Sequence, residues 1–238
     1  MSSEGQVVLI TGATGGLGPH VVRAFAGEGA RLVLSARERK RLDELAGELG
    51  LGPERVLLGA FDAGDASATE SLVHAAEGRF GRIDALVNLA GGYRGGKPVH
   101  ELGDADWEEM LGLNLRSVYL MCRAVVPGMI RAGYGRIVTV ASQMALRSVA
   151  LHAPYAASKA ALLRLTESLA AELASDGIRA NAVVPSVIDT EANRRAMPDA
   201  DRSSWVTPEA LAAAVVFLAS PGAEGVNGIA LPVYGGKP

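Results

Sequence analysis

The sequence contains a single cysteine, Cys122, so an internal disulfide is excluded. The apolar stretch LRSVYLMCRAVV around this residue favours a buried, inert thiol over a reactive one. Histidines are also few, and none of the four shows the spacing that is typical of metal ligands. Because no cluster of cysteines or carboxylates accompanies them, the sequence predicts no metal site.

A large excess of charge of one sign and a long hydrophobic run are both absent. The net charge of −3 is too small to indicate a nucleic acid or an anionic membrane as partner. No run of about 18 uncharged apolar residues occurs, so no membrane-spanning helix is predicted. The N-terminal stretch MSSEGQVVLITG has neither a basic region nor a long apolar core, which predicts no secretory signal. By elimination, we expect a cytoplasmic location.

The composition is that of a globular protein, with 49% hydrophobic and 21% charged residues in a chain of 238. No Pro/Ser-rich linker and no internal repeat divides the chain, so we expect one domain over residues 1–238. Short β-branched apolar runs alternate with helical patterns. Strands are predicted at 7–11, 32–35, 56–58, 83–88, 137–141, 178–184 and 229–233. Helices are predicted at 20–28, 38–49, 67–80, 104–131, 154–175 and 208–220.

This alternation predicts an α/β fold: a doubly wound (Rossmann) seven-stranded parallel sheet with helices on both faces. The strands are apolar throughout, as strands covered on both faces should be. The least regular stretch is 189–206, which follows the sixth predicted strand. Ligands of doubly wound sheets bind beyond the carboxyl ends of the strands, so this stretch is a candidate substrate lid.

A glycine-rich loop follows the first predicted strand and precedes a helix. It predicts a binding site for the pyrophosphate of a dinucleotide, because glycines allow close approach and the helix N-terminus offers free N–H groups. A glycine-rich turn in some other α/β protein is the alternative. The predicted contacts are Gly12, Thr14, Gly15, Gly16, Leu17 and Gly18.

Nucleotide choice is expected at the end of the second strand, in Leu34-Ser35-Ala36-Arg37. An acidic residue there would bind a ribose 2′-hydroxyl and repel a 2′-phosphate, and none is present at this point. Arg37 instead offers a planar guanidinium suited to phosphate. The sequence therefore favours NADP(H), with NAD(H) as the alternative if Arg37 is simply a solvated residue.

Tyr155 and Lys159 are spaced i, i+4 in a helical pattern and therefore share one face. A neighbouring ammonium favours the phenolate, which would suit the tyrosine for proton transfer near neutral pH. Alone this pair is common on surface helices. Ser142 follows the fifth predicted strand, and Asn114 lies in an earlier long helical pattern.

The motif T-G-x-x-x-G-x-G, followed in order by Asn114, Ser142 and Tyr155-x-x-x-Lys159, resembles the short-chain dehydrogenase/reductase family over nearly the whole chain. The resemblance implies that Tyr155 exchanges a proton with the substrate oxygen, which Ser142 polarises. Lys159 would lower the pKa of Tyr155 and bind the nicotinamide ribose, and Asn114 would hold a water. Further cofactor contacts implied by the resemblance are Asp62, Asn88, Ala90, Gly91, Pro185, Ile188 and Thr190. Leu89 departs from the N-N-A-G pattern of the family at this segment.

Two groups within that family are similar in different parts of the chain. The overall pattern looks like 3-oxoacyl-acyl-carrier-protein reductases, whereas 91–96 and 193–205 look like dihydropteridine reductases. The latter typically prefer NADH and carry an acid where this chain has Arg37. The expectation is an enzyme that reduces a small-molecule carbonyl (ketone) substrate, with a dihydropteridine or quinone-type reductase as the alternative.

Three further expectations concern an alternative class of function, the role of His152 and the oligomeric state. A non-catalytic NADP(H)-binding sensor is a different class of function, which the intact Ser142, Tyr155 and Lys159 argue against. His152 is either a substrate contact or an ordinary loop residue. By resemblance, a homodimer or homotetramer is expected through the helices at 104–131 and 154–175.

Overall fold

The computed structural model describes residues 3–236, so the outermost residues of the predicted domain lie outside it. The strands are β1 Val7–Thr11, β2 Arg31–Ala36, β3 Val56–Ala60, β4 Ala85–Asn88, β5 Gly135–Val140, β6 Ile178–Pro185 and β7 Ala230–Val233. The helices are α1 Gly18–Gly27, α2 Arg39–Glu48, α3 Ala66–Phe80, α4 Asp104–Leu111, α5 Ser117–Ala132, α6 Ala153–Leu173, α7 Glu191–Ala196 and α8 Pro208–Ala219.

The strands form one seven-stranded sheet in the order β3-β2-β1-β4-β5-β6-β7, with every pairing parallel. Apolar side chains of β1 alternate between two buried clusters. Val8 and Ile10 belong to the cluster that includes Phe25 of α1, whereas Leu9 belongs to the cluster that includes Met121 of α5. Because successive side chains of a strand point to opposite faces, this division places helices on both sides of the sheet. The predicted fold class is confirmed.

The strand order reverses at β1, which has β2 on one side and β4 on the other. Thr11 and Asn88, the last residues of β1 and β4, are register partners, so the two loops that leave them start side by side. A crevice forms at such a reversal, beyond the carboxyl ends of the strands. The candidate site residues are therefore expected around these two loops.

Two predicted stretches differ from the structure. The helix predicted at 104–131 is interrupted by a π-helical turn, Gly112–Arg116, between α4 and α5. The stretch 189–206, predicted to be irregular, contains the short helix α7, whose first turn is capped by the Thr190 side chain. Among residues 3–236, no helix is long and apolar enough to cross a membrane.

Cys122 lies in α5 and is buried, which agrees with the expected inert thiol. Burial raises its pKa to about 12, against a smaller opposing effect of a hydrogen bond from Asn88. The thiolate, which is the reactive form, is therefore scarce at neutral pH.

Candidate active site

The loop after β1 packs directly against the loop after β4. Gly12 adopts a positive φ of 64°, and a Cβ at this position would lie 2.7 Å from the backbone nitrogen of Ala90. The backbone N–H of Ala90 in turn donates to the Thr11 hydroxyl at 3.1 Å. Only glycine adopts this positive φ and allows this close approach to Ala90 without strain. The predicted glycine loop and the predicted Asn88–Gly91 segment therefore form one wall of the crevice.

The first turn of α1 faces the same wall. The helix begins at Gly18, where a side chain would overlap the backbone of Ala13, and no side chain caps its N-terminus. The side chain of Leu17 is part of the buried core, so only its backbone is available to a ligand. Gly15 and Gly16 are exposed beside this turn. The Gly18 and His20 N–H groups donate to the Gly15 and Leu17 carbonyls, and Pro19 has no N–H. Within residues 3–236 the backbone N–H groups of Gly16 and Leu17 have no partner, so these donors and the exposed glycines are suited to a phosphate group.

Arg37 follows β2 and is exposed. The neighbouring cations are engaged by acids: Arg39 with Asp43, Lys40 with Glu44 and Arg41 with Glu38. Within residues 3–236, the guanidinium of Arg37 has no hydrogen-bond or ion-pair partner. It is therefore available to an anionic ligand at the carboxyl end of β2. Asp62, after β3, uses a carboxylate oxygen to accept from the backbone N–H of Gly64 at 2.8 Å, which shapes the adjacent loop.

Lys159 lies on α6, one turn after Tyr155, and only 6% of its surface is exposed. Its Nζ donates to the carbonyl of Val140, the last residue of β5, at 2.7 Å. The same nitrogen is 6.0 Å from the centroid of the Tyr155 ring. Burial away from water lowers the pKa of Lys159 to about 8. The structure thus places a buried amine, close to losing its charge, beside the tyrosine.

The pKa of Tyr155 is raised, because burial disfavours the phenolate; hydrogen bonding with Ser142 opposes this rise and the nearby Tyr93 phenol adds to it. The net direction is therefore opposite to the one that Lys159 alone would give, and the effect of Lys159 itself on the pKa of Tyr155 stays a prediction. Two physical reasons account for the net direction. The Lys159 amine is bound to the Val140 carbonyl, and desolvation outweighs the stabilising contacts. The hydroxyl of Tyr155 thus keeps its proton at neutral pH.

Ser142 begins a short 3-10 turn, Gln143–Ala145, directly after β5. Its hydroxyl oxygen accepts from the backbone N–H of Met144 at 3.2 Å. Because a hydroxyl can donate while it accepts, Ser142 can donate its hydrogen to the Tyr155 hydroxyl, with which it is hydrogen-bonded, or to a substrate oxygen. The serine is therefore fixed in place by its own backbone turn.

Asn114 lies in the π-helical turn between α4 and α5 and is completely buried. Its side-chain oxygen accepts from the Gly92 N–H at 2.9 Å, and its nitrogen donates to the Gly92 carbonyl and to the Ser158 hydroxyl, at 3.1 and 3.0 Å. Ser158 in turn donates to the backbone carbonyl of Tyr155 at 2.8 Å. Asn114 therefore links the loop after β4 to the helix that carries Tyr155, and its side chain is already fully engaged.

Gly91 lies between two predicted catalytic residues. A Cβ on Gly91 would be 2.8 Å from the Asn114 side-chain oxygen and 3.4 Å from Lys159 Nζ. The structure therefore brings Asn114, Lys159, Tyr155 and Ser142 together at the carboxyl ends of β4 and β5. π-helical turns are often found at such functional positions.

The stretch 189–206 follows β6, and its two ends are hydrogen-bonded to each other. The Asp189 N–H donates to the Val206 carbonyl, and the Val206 N–H donates to the Val187 carbonyl, both at 2.9 Å. Trp205 is buried and anchors the returning end. At the outgoing end, a Cβ on Gly16 would lie 3.0 Å from the Thr190 methyl. The predicted contacts Ile188 and Thr190 thus lie beside the glycine loop, and Pro185 is buried at the end of β6.

Sequence reasoning missed Ser158 and Tyr93 as residues of this site, whereas His152 was already a candidate substrate contact. Ser158 was not singled out, although its position three residues after Tyr155 places it on the neighbouring face of the same helix. The ring of Tyr93 packs edge-on against Tyr155 with centroids 5.1 Å apart, and His152 lies 5.7 Å from Tyr93. The spacing from Tyr155 gave the signal for His152, but nothing in the sequence locates Tyr93.

A family model described as short chain dehydrogenase matches residues 6–201. The chain belongs to the short-chain dehydrogenase/reductase family. D-threitol dehydrogenase of Mycolicibacterium smegmatis is 38% identical over 98% of this chain and 93% of its own length. The 3-oxoacyl-[acyl-carrier-protein] reductase FabG of Escherichia coli is 32% identical over 99% and 98%, respectively.

A solved structure with the same arrangement is the short-chain dehydrogenase/reductase described as glucose/ribitol dehydrogenase from Brucella melitensis. It superimposes with a TM-score of 0.88 at 34% identity and covers 97% of this chain and 95% of its own. Short-chain dehydrogenases/reductases are oxidoreductases that use nicotinamide cofactors. The predicted family, its similarity to 3-oxoacyl-acyl-carrier-protein reductases and the predicted fold are therefore confirmed.

The residues of this chain fit a nicotinamide dinucleotide. Lys159 is buried, yet its ammonium, which has three donors, makes one hydrogen bond within residues 3–236. A buried ammonium with unused donors is costly unless a ligand completes its hydrogen bonds. At the opposite end of the crevice, the unpaired guanidinium of Arg37 is available to a phosphate.

Proposed function

We propose that this short-chain dehydrogenase/reductase reduces a ketone with NADP(H) as cofactor and Tyr155 as the proton donor. The observation that carries the proposal is the convergence of Tyr155, Ser142 and the buried Lys159 at the carboxyl ends of β4 and β5. A carbonyl group next to Tyr155 meets an acid that still holds its proton. Reduction of C=O needs such an acid, because the oxygen gains negative charge as the bond is reduced.

The bound cofactor supplies the hydride, and the chain supplies binding and orientation. The glycine loop and the first turn of α1 would hold the pyrophosphate, and Lys159 would hold the nicotinamide ribose. Arg37 would bind the 2′-phosphate. The remaining contacts that we propose are Asp62, Asn88, Ala90, Gly91, Pro185, Ile188 and Thr190.

The proton step is assigned to side chains already in place. Ser142 donates its hydroxyl hydrogen to the substrate oxygen and holds that oxygen beside the Tyr155 hydroxyl. Tyr155 gives its proton to that oxygen as charge develops. The ammonium of Lys159 stabilises the resulting phenolate while it is still charged, which its pKa of about 8 permits at neutral pH. Asn114 acts as a positioning residue through Gly92 and Ser158, and the water that it is expected to hold stays a prediction.

The same proposal includes the domain organisation, the substrate lid and the oligomeric state. Residues 1–238 form one catalytic domain, and residues 189–206 close over the substrate as a lid that rests on Gly16. Trp107 of α4 and Tyr119 of α5 expose 42% and 47% of their surfaces on the helices proposed to join subunits. Exposed aromatic residues of this kind are enriched at protein interfaces, which supports a homodimer or homotetramer.

Exchange of Arg37 for aspartate is expected to reverse the cofactor preference. The guanidinium that favours a 2′-phosphate is replaced by a carboxylate that repels it and accepts from a 2′-hydroxyl. We expect the Kd for NADPH to rise by about tenfold or more and the Kd for NADH to fall, since removal of one charged hydrogen bond costs roughly 1.5–3 kcal/mol. Fluorescence titration with both nucleotides measures this. Arg39→Asp is the matched control, because Arg39 is already paired with Asp43; an unchanged NADPH affinity in Arg37→Asp contradicts the assignment.

The function itself is tested by oxidation of NADPH, followed at 340 nm, with a panel of acceptors. The names of the relatives suggest two substrate classes, polyhydroxylated ketones and 3-oxoacyl thioesters. The panel therefore contains hydroxyketones, acetoacetyl thioesters, quinonoid dihydropterin and simple quinones. We expect NADPH consumption with ketones. Consumption only with dihydropterin or quinones supports the alternative reductase, and tight NADPH binding without oxidation by any acceptor supports the sensor.

A further inference from the structure

Tyr93, which is outside the proposed proton-transfer set, lies against the ring of Tyr155, and His152 lies against Tyr93. The ring centroids of Tyr93 and Tyr155 are 5.1 Å apart, with an interplanar angle of 73°, and Tyr93 lies 5.7 Å from His152 on its other side. Tyr93 therefore bridges His152 and Tyr155. It exposes 60% of its surface, so most of the ring is open on the accessible side of the site.

The position of Tyr93 is fixed by contacts on both sides of it along the chain. Before it, both backbone polar groups of Gly92 are bound by the Asn114 side chain. After it, Arg94 Nε donates to Glu109 Oε2 at 2.6 Å, and the Gly96 N–H donates to the Leu151 carbonyl at 2.8 Å. Because the loop is anchored on both sides, the large and exposed side chain of Tyr93 is well placed to contact a ligand.

The ring of His152 is fixed as well, and its hydrogen-bonding roles follow. His152 Nδ1 is 2.6 Å from the carbonyl oxygen of Ala150. A carbonyl can only accept, so Nδ1 carries a proton and the Nε2 of the neutral ring is an acceptor. The preceding residue, Leu151, has a φ of 69°, a strained value for a residue with a branched side chain. Backbone strain of this kind is found mainly where function requires a side chain in one place.

Both rings carry a polar atom that the protein leaves available. Within residues 3–236, neither the Tyr93 hydroxyl nor His152 Nε2 has a hydrogen-bond partner. Gly95 permits their approach, because a Cβ there would lie 2.9 Å from His152 Cδ2 and 3.0 Å from the Tyr93 hydroxyl. A hydroxyl and an imidazole acceptor are thus close together beside the catalytic phenol.

We infer that Tyr93 and His152 determine specificity by binding a hydroxyl group carried next to the substrate carbonyl. The inference rests on the proposed reductase function and names its substrate class, α-hydroxyketones. Such a hydroxyl donates to His152 Nε2 and accepts from the Tyr93 hydroxyl, while the Tyr93 ring covers the carbon atoms beside it. A purely apolar substituent leaves both polar atoms without partners, and sites built around a hydrogen bond discriminate strongly against such analogues.

The test uses two ketones with the same arrangement of heavy atoms, acetoin and 3-methylbutan-2-one, in which a hydroxyl of the first is replaced by a methyl group in the second. We expect the wild-type kcat/KM for acetoin to exceed that for the analogue by about tenfold or more. The α-hydroxyl also alters the reactivity of the carbonyl itself, so the decisive quantity is how this ratio changes in variants.

The variants separate recognition from the structural role of His152. Asparagine at this position keeps a donor for the Ala150 carbonyl but lacks an atom at Nε2, whereas glutamine places an amide oxygen near Nε2. We expect His152→Asn and Tyr93→Phe each to lower the acetoin preference by about fivefold or more, on the scale of roughly 1 kcal/mol for one hydrogen bond. His152→Gln should recover part of the preference. His100→Asn is the matched control, because the His100 side chain is 80% exposed and lies beside Glu101.

Binding is measured separately by saturation-transfer NMR of the two ketones, so that a result exists even without turnover. Weaker acetoin binding in His152→Asn, with the analogue unaffected, supports the inference. If the wild type reduces both ketones equally, or if both variants keep its preference, the inference is overturned and the reductase function stands. If neither these ketones nor any acceptor in the panel is reduced, the proposed function is overturned instead. Equal binding of the two ketones to the wild type also overturns the inference.

Discussion

Replacement of Tyr155 by phenylalanine is expected to lower kcat for ketone reduction by about 10³-fold, within the range of roughly 10² to 10⁴ for a positioned acid. The variant lacks the hydroxyl that gives its proton to the substrate oxygen. It keeps the ring, and with it the edge contact to Tyr93. Because the proposed phosphate contacts lie in the glycine loop and at Arg37, the Kd for NADPH should change by less than about threefold. Stopped-flow measurement of NADPH oxidation gives the chemical step, and fluorescence titration gives the Kd.

Tyr119→Phe is the matched control for this experiment. Tyr119 also lies on a long helix, but 47% of its surface is exposed and its ring is not among the side chains that converge at β4 and β5. Its variant should keep the wild-type rate. A Tyr155→Phe enzyme that reduces ketones at close to the wild-type rate means that another group supplies the proton. Loss of NADPH binding together with activity would assign Tyr155 to cofactor binding alone.

The sheet was predictable because each of its signals is local. Apolar β-branched runs bounded by helical patterns mark β1 to β7, and burial on both faces makes those runs continuous. The sequence signal for the glycine loop was equally local, since the close approach of Gly12 to Ala90 requires a residue without a side chain. The convergence of Asn114, Ser142, Tyr155 and Lys159 came from motif order, which reflects how the carboxyl ends of parallel strands meet at one edge.

The parts that sequence reasoning did not find depend on tertiary contacts. The π-helical turn at Gly112–Arg116 contains Asn114, whose side chain binds Gly92, a residue distant along the chain. The raised pKa of Tyr155 could not be read from its spacing to Lys159, because spacing gives proximity but says nothing of desolvation. By contrast, the start of α7 had a local signal that was overlooked, since Thr190 is a favourable N-cap residue and accepts from the Asn193 N–H.

Replacement of Lys159 by methionine is expected to lower kcat/KM for reduction by about 10²-fold, the usual loss on removing one charged group that stabilises the reaction. Methionine has a similar length and suits a buried site, so the fold should tolerate it. Without the ammonium, the phenolate formed on Tyr155 has no neighbouring positive charge. The enzyme should also bind NADPH more weakly, since the proposed donor to the ribose is lost. Steady-state kinetics at pH 7 and nucleotide titration measure the two effects.

The pH dependence of the same variant gives a sharper test, because the pKa of Lys159 is lowered to about 8 from 10.5. In the wild type, kcat/KM for reduction should fall as the pH rises through about 8, where Lys159 loses its charge while Tyr155 keeps its proton; Lys159→Met should lack this decline. Between pH 8 and 10.5 the unfolded lysine binds more protons than the folded one, so the wild-type free energy of unfolding should rise with pH relative to that of Lys159→Met. Lys40→Met is the control, since Lys40 is exposed and paired with Glu44. If Lys159→Met and wild type show the same pH profiles of activity and stability, the buried amine does not titrate in this range and its assigned role is wrong.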